Sequence, residues 1–496
     1  MIRSSVVAGM DKVSGFGLKA FSQDELDLIH CASMDLLWHT GIYVESEKAV
    51  NILHGSGASV ERRGDRTIVK IPPFLIEDCI RSAPSHIVLH GRDPRQDYTL
   101  EPMHFGFTLF GENTKVNDLL SGENRSCKKK DLEDAIRVAD ALDQIVIVTK
   151  CMGAQDKPSA TQALHNFEAM VSNTGKHVAI GPFSAVNCRK IVEMGAACIG
   201  GIDEFQKRPF ITFVVCPSSP LTLVNQCTEV IIESARLGIG ICSIPMPLCG
   251  ATSTCTLAGT LVSQNAEVLS SLVLTQLVAK GTPFIYGSCA TIMDMKLGNA
   301  ALGAPEYGLL SVGATRLAQY YKIPNWCGSG VSDSKLPDAQ SAYEFAMNTT
   351  MSALAGGNII FSCGSLESGL TFDFAKLIMD AEHAERLKIA VGGIDVTHEE
   401  IALNVLKEVG PGGEFLTHNH TLENMGRLSQ SNLFDRTNRE AWLEHTGGKD
   451  LTERAYETAK YLLEHHKPME LPIGAAEAMR GIIKEREAEI EIEDNR

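Results

Sequence analysis

Small, aromatic and neutral polar residues recur where the apolar runs of this sequence end. They are Gly181–Pro182–Phe183, Cys216–Pro217, 247–252, 286–289, the stretch 326–335, and 363–367. Glu306, Asp333 and Glu367 lie nearby as candidate anions. Six cysteines fall close to these ends: Cys151, Cys216, Cys249, Cys289, Cys327 and Cys363. None is paired as C-x-x-C, so burial as small hydrophobes is favoured over a zinc site. His418-x-His420 could give two ligands on one face of a strand, but no third stands at a fixed spacing, and a hydrogen-bonded loop pair is the simpler reading. The stretch 328–344, GSGVSDSKLPDAQSAYE, is the most informative. Gly328 and Gly330 permit unusual backbone angles, Asp338 can cap the helix that follows, and Phe345 and Thr349 continue that helix's buried face.

Eight apolar runs carry these residues. HFGFTLFG lies around Phe107, and the others begin at Ile145, His177, Phe210, Ile239, Pro283, Pro324 and Asn358. From the second run on they alternate with helical segments at roughly 30 to 45 residues, the rhythm of repeated βα units. Val262, Ala266, Leu269, Val273 and Leu277 share one helical face, and Lys280, Gly281 and Pro283 stop that helix before the next run. A helix over 222–237 ends at Gly238. Continuous apolar strands fit a parallel sheet buried on both faces, and eight such units close most naturally into a TIM (β/α)8 barrel. An open doubly wound sheet is the alternative, and no G-x-G-x-x-G follows a strand to support it. The expected division is an N-terminal accessory α+β region (1–100), a barrel (101–400) and a C-terminal helical extension (401–496). The accessory region holds helices near 22–39 and 46–55 and the strand RTIVKI. The charged end KEREAEIEIEDN reads as a solvated helix face.

The chain has 496 residues, 44% of them hydrophobic, with 45 Lys and Arg against 61 Asp and Glu for a formal charge of -16. That balance argues against nucleic acid or an anionic membrane as main partner and does not repel a cationic small molecule. The opening MIRSSVVAGMDK lacks the basic-then-apolar pattern of a secretory signal, and 14 unpaired-looking Cys suggest a reducing, cytoplasmic setting. The most apolar region, 239–261, is interrupted by Pro245 and Pro247, so no transmembrane helix is expected.

Four stretches taken together, 250–267 (GATSTCTLAGTLVSQNAE), 283–288 (PFIYGS), 332–344 (SDSKLPDAQSAYE) and 408–427 (EVGPGGEFLTHNHTLENMGR), resemble the trimethylamine methyltransferase (MttB) superfamily. FLIEDCIRSAP at 74–84 extends the likeness into the accessory region. The resemblance implies a TIM barrel whose mouth receives a separate corrinoid-binding protein. Members acting on trimethylamine carry pyrrolysine, whereas every residue here is a standard one, so the chain looks like the non-pyrrolysine branch. The implied activity is a quaternary amine:corrinoid protein Co-methyltransferase, with glycine betaine as first-choice substrate. A quaternary ammonium leaves as a neutral tertiary amine when Co(I) attacks its methyl group, so no general acid is required. No D-x-H-x-x-G supplies an axial histidine, so the cobalamin arrives on the partner and no tightly bound cofactor or metal is expected. A homo-oligomer is expected from the same likeness.

A trimethylammonium group has no N–H, so its recognition must come from aromatic faces and carboxylates. Trp326, Tyr286, Tyr307, Phe361 and Tyr343 are the candidate rings, and Asp333 or Glu306 the balancing anions. Lys335, His418 and the backbone at Gly328–Gly330 are candidate partners for a betaine carboxylate. Ser329, Gly330, Asp333 and Glu306 form the candidate catalytic set. A metal-assisted barrel hydrolase using His418 and His420, and a non-catalytic betaine sensor, are the competing functions.

Overall fold

The structure, a computed structural model, describes residue 18 and residues 20–494 except 103 and 432. The opening segment read above for a signal lies outside the described residues. Eight parallel strands are laid out in chain order: β1 (Gly106–Thr108), β2 (Val148–Thr149), β3 (Val178–Ile180), β4 (Ile211–Val215), β5 (Gly240–Ser243), β6 (Phe284–Ser288), β7 (Asn325–Gly328) and β8 (Ile359–Phe361). β8 pairs with β1. The ring closes where Phe107 bridges Ile145 just ahead of β2, with the Val146 N–H donating to the Phe107 carbonyl at 2.9 Å.

Each strand is followed by a helix: α1 (Lys129–Asp140), α2 (Gln162–Val171), α3 (Ala185–Ala197), α4 (Asn225–Leu237), α5 (Leu257–Val278), α6 (Pro305–Tyr320), α7 (Ala339–Leu354) and α8 (Phe374–Gly392). All eight expected apolar runs are barrel strands, and the chain is a TIM (β/α)8 barrel. One boundary differs. Thr222–Leu223, assigned above to a helix, instead extends the accessory sheet by pairing with Tyr43 and Val44, and α4 starts only at Asn225.

Side chains of a closed barrel alternate between lumen and helix layer. The lumen is filled by Ile147, Ala179, Cys242, Ile285, Trp326 and Ile359, one or more from most strands. At the amino-terminal end it is plugged by a hairpin, Ile87–Leu89 with Tyr98–Leu100, whose Tyr98 hydroxyl donates to the Asn358 carbonyl at 3.4 Å. The open end is therefore the carboxyl one, where barrel chemistry belongs.

The flanking regions pack on the helix layer. α5 is buried nearly all round because the accessory helices Gln23–Asp35 and Pro73–Ser82 cover the face that the barrel does not. This explains its fully buried Asn265, whose amide donates to Ser33 Oγ at 2.9 Å and Tyr321 Oη at 2.8 Å. The terminal helix Ala475–Asp494 carries no buried residue over 484–493, in the stretch expected to be solvated, but it is anchored ahead of that stretch. Its Met479 and Ile483 are buried against α3, Met479 meeting Cys198 at 3.6 Å, and Glu485 pairs with Lys190 at 2.7 Å. Burying each such apolar side chain contributes about 1.5–3 kcal/mol, which holds the helix in place. Among the described residues, no helix is long and apolar enough to cross a membrane.

Candidate active site

Beyond the carboxyl ends of β1 to β4 lies a cavity of about 130 Å3, lined by Phe110, Glu112, Thr149, Lys150, Phe183, Val214, Cys216 and Gln226, among others. A single water needs about 10–15 Å3, so the space suits a small molecule of a few heavy atoms. Phe110 stands on the boundary between this cavity and the upper lumen, its ring centroid 4.4 Å from that of Phe361.

Behind Phe110 three of the expected aromatic residues come together. Phe361 ends β8, Trp326 lies in β7, and Tyr307 enters from the first turn of α6; all three are fully buried in the luminal cluster. Gly328 makes their meeting feasible. A Cβ there would sit 2.7 Å from Cζ of Phe361 and nearer still to Oη of Tyr307. Gly330 is similar, since its Cβ would meet the Phe361 carbonyl oxygen at 2.6 Å. Neither has a positive φ, so these two glycines serve close approach and not the unusual angles expected from the sequence.

The hydroxyl of Tyr307 lies 3.6 Å from Cys289 Sγ, and burial pushes that thiol up to about 11. Nε1 of Trp326 is buried with no hydrogen-bond partner, a cost tolerated mostly at strained or functional positions.

The other expected residues stand elsewhere. Tyr286 is buried but faces outward, its hydroxyl donating to Gln264 Oε1 at 3.1 Å and Asn265 Oδ1 at 2.9 Å of α5. Tyr343 is 76% exposed on α7. Ser329 also turns away from the lumen, to Ser352 Oγ of α7 at 2.5 Å. Lys335 is exposed, with its ammonium on the Asp333 carbonyl at 2.7 Å. His418 accepts from the His420 N–H at 3.0 Å and approaches Glu408 at 3.7 Å, all within the C-terminal extension. For Tyr286 and Ser329 the difference is one of direction, since a continuous apolar run does not reveal which residues face inward; Tyr343 lies on α7, and Lys335 and His418 lie in loops, outside those runs.

Asp333 sits in the loop after β7, and Glu306 in the first turn of α6. Asp333 Oδ1 accepts from the Leu302 N–H at 3.0 Å and from Ser368 Oγ at 2.7 Å, tying the loops after β6, β7 and β8 together. Glu306 is half-buried one residue before Tyr307. Glu344, which the sequence reading left without a role, braces the same region: its Oε2 accepts from Ser332 Oγ at 2.6 Å and from the Asp333 N–H at 2.8 Å. Asp338 caps α7 by accepting from the Ser341 N–H at 3.1 Å, as its position implied. Among the described residues, no three His, Cys, Asp or Glu side chains form a group that could hold a metal ion.

Two residues at the cavity, Lys150 and Glu112, carried no site signal in the sequence, whereas Phe183 stood in the first strand-end group. Lys150 closes the IVIVTK run at the end of β2, and its ammonium, only 3% exposed, pairs with Glu112 from the loop after β1. The ring of Phe183 lies over it, with the centroid 5.2 Å from Nζ. Phe183 has φ 65°, a left-handed backbone that a bulky residue rarely adopts without surrounding structure to hold it.

The solved structure of the monomethylamine methyltransferase MtmB from Methanosarcina barkeri matches with a TM-score of 0.51 at 14% identity, covering 93% of this chain and 91% of that one, which is a likeness of fold. Two relatives named trimethylamine methyltransferase MttB are similar along almost their whole length. The one from Desulfitobacterium hafniense strain DCB-2 is 45% identical, covering 98% of both chains, and that from Methanosarcina barkeri is 35% identical, covering 97% of this chain and 98% of its own length. A glycine betaine methyltransferase from Desulfitobacterium hafniense strain Y51 is 28% identical, covering 95% of this chain and 97% of that one. The family model described as trimethylamine methyltransferase (MTTB) matches residues 13–491, and the chain belongs to that methyltransferase family.

Proposed function

We propose that this protein transfers a methyl group from a quaternary amine, glycine betaine first among them, to the Co(I) corrinoid of a separate carrier protein, releasing dimethylglycine. Cobalt supplies the electron pair of the new Co–C bond, and the pair of the broken C–N bond stays on nitrogen. The product amine is neutral, so the leaving group needs no proton from the protein.

The observation that supports this reading is the makeup of the small cavity at the barrel's open end. Its walls are mostly aromatic and aliphatic, with Thr149 and Gln226 among them; its one lining carboxylate, Glu112, is engaged by Lys150, and desolvation pushes the lining thiols of Cys216 and Cys227 well above their usual range. With its one carboxylate and its one ammonium, Lys150, paired to each other, such a lining leaves aromatic faces to a donor that brings its own positive charge. Phe110, backed by Phe361, and Phe183 present rings to the cavity, and each cation–π contact is worth about 0.5–2 kcal/mol depending on desolvation. The rest of the work is positioning: holding the methyl group in line with the arriving cobalt and keeping water out.

The test is to mix the protein with a Co(I) corrinoid on a candidate carrier and follow the absorbance of the methylated corrinoid. Glycine betaine should drive methylation with one dimethylglycine released per turnover. Trimethylamine is the competing donor, because the 45% identical relative bears its name. Methylation by trimethylamine and by no quaternary amine would overturn the reading, as would silence with every donor and an active carrier.

A further inference from the structure

We infer that Lys150 is the residue that selects a carboxylate-bearing substrate, with Glu112 occupying its ammonium until that carboxylate arrives. The inference rests on the proposed use of a betaine and adds the group that would recognise it.

The ion pair is lopsided. Lys150 Nζ belongs to a side chain that is 3% exposed at the end of a barrel strand, whereas Glu112 is 68% exposed on a loop. The cation is therefore fixed in the cavity wall, while its partner reaches in from solvent and can return there at little cost. Both residues line the same cavity as Phe110 and Phe183. A buried ammonium needs a compensating anion at all times, and a ligand carboxylate meets that need as well as Glu112 does.

Charge makes the selection specific. A bare cation such as tetramethylammonium would share a small cavity with Lys150 and be repelled by it. A zwitterion presents its carboxylate to Lys150 and its methylated nitrogen to the rings, so that the two positive charges are separated by a negative one. Phe183 steadies the ammonium in this position, its ring held over Nζ by a backbone conformation unusual for its type.

Calorimetric binding to the intact protein and corrinoid methylation together test the inference, with glycine betaine and tetramethylammonium as the two donors. Lys150→Met should weaken glycine betaine binding and raise its KM by about 30-fold or more, the loss expected when one partner of a buried charge pair is removed. Use of tetramethylammonium should hold or improve. Glu112→Gln, which keeps the lysine and leaves it an amide oxygen as acceptor, should tighten glycine betaine binding because the competing charge has gone. Equal loss of both donors in Lys150→Met would make Lys150 merely structural. Unchanged affinity in Glu112→Gln, or a wild-type protein that binds no glycine betaine, would also overturn the inference. Binding through Lys150 with no methyl transfer to an active carrier would leave this site standing and sink the proposed reaction.

Discussion

Replacing Gly328 with alanine adds one methyl group where the upper lumen has no room for it. The added Cβ would stand 2.7 Å from Cζ and 2.9 Å from Cε2 of Phe361, and closer still to Oη of Tyr307. Ordinary carbon contacts begin near 3.5 Å, so both rings must move or leave their rotamers. Overpacking of this kind costs about 1–3 kcal/mol. A midpoint shift in urea at unchanged slope reads that cost. The same displacement moves Phe361, and with it Phe110 at 4.4 Å, so methyl-transfer kcat/KM should fall as well. A second substitution apportions the effect. Tyr307→Phe removes the nearest clashing atom, whose own hydrogen-bond partner is only a thiol at 3.6 Å, and alone should cost about 1 kcal/mol or less. In the Gly328→Ala background it should recover part of the loss, the remainder belonging to Phe361, and the two changes should couple by about 0.5–3 kcal/mol. Strict additivity would refute the packing argument, since it would mean that the methyl group and the tyrosine hydroxyl never meet.

The fold was legible because parallel barrel strands are buried on both faces and so appear as unbroken apolar runs separated by helical spacing. The same property hid the site. In an alternating strand, residue parity shows which side faces the core, but PFIYGS gives no sign that Ile285 faces the lumen while Tyr286 faces α5. Closing the barrel settles that question, and closing it depends on pairings such as Gly287 with Trp326 across β6 and β7. Trp326 and Phe361 stood out in the sequence because they lie at or near strand ends, and Tyr307 because it follows Glu306; the structure brings the three together in the lumen. Tyr343 and Lys335 lie near such an end too, yet point to solvent. Lys150 was passed over because a lysine after an apolar run resembles a surface terminator, and its partner Glu112 lies 38 residues earlier with no local spacing to link them. The one mark it did carry was its place as the sole formal charge in IVIVTK. Thr222–Leu223 was misread for a related reason, since its strand partners Tyr43 and Val44 lie in the accessory region and no local pattern reports that pairing.

Trp326→Ala should lower stability by about 3–5 kcal/mol by emptying part of the lumen, whereas Trp326→Phe should cost less and remain folded. If the indole matters to the site, Trp326→Phe will lower kcat/KM for glycine betaine; unchanged kinetics in that folded variant would remove Trp326 from it. Glu267 sets an expectation for pH. It is buried on α5, where Oε2 accepts from Ser219 Oγ at 2.8 Å and Oε1 from the Leu221 N–H at 2.9 Å, and desolvation raises its carboxyl to about 7 against those hydrogen bonds. Between the usual carboxylate value of 4.5 and about 7 the folded protein holds a proton that the unfolded chain has released, so this group's contribution to stability falls as pH rises through that window. The full effect is on the order of 3 kcal/mol. Glu267→Gln cannot ionise, so the difference in urea midpoint between wild type and variant should widen in the variant's favour from pH 5 to pH 8. A difference that stays constant across that range would show that Glu267 is charged in the folded protein throughout, with Ser219 and Leu221 outweighing its burial.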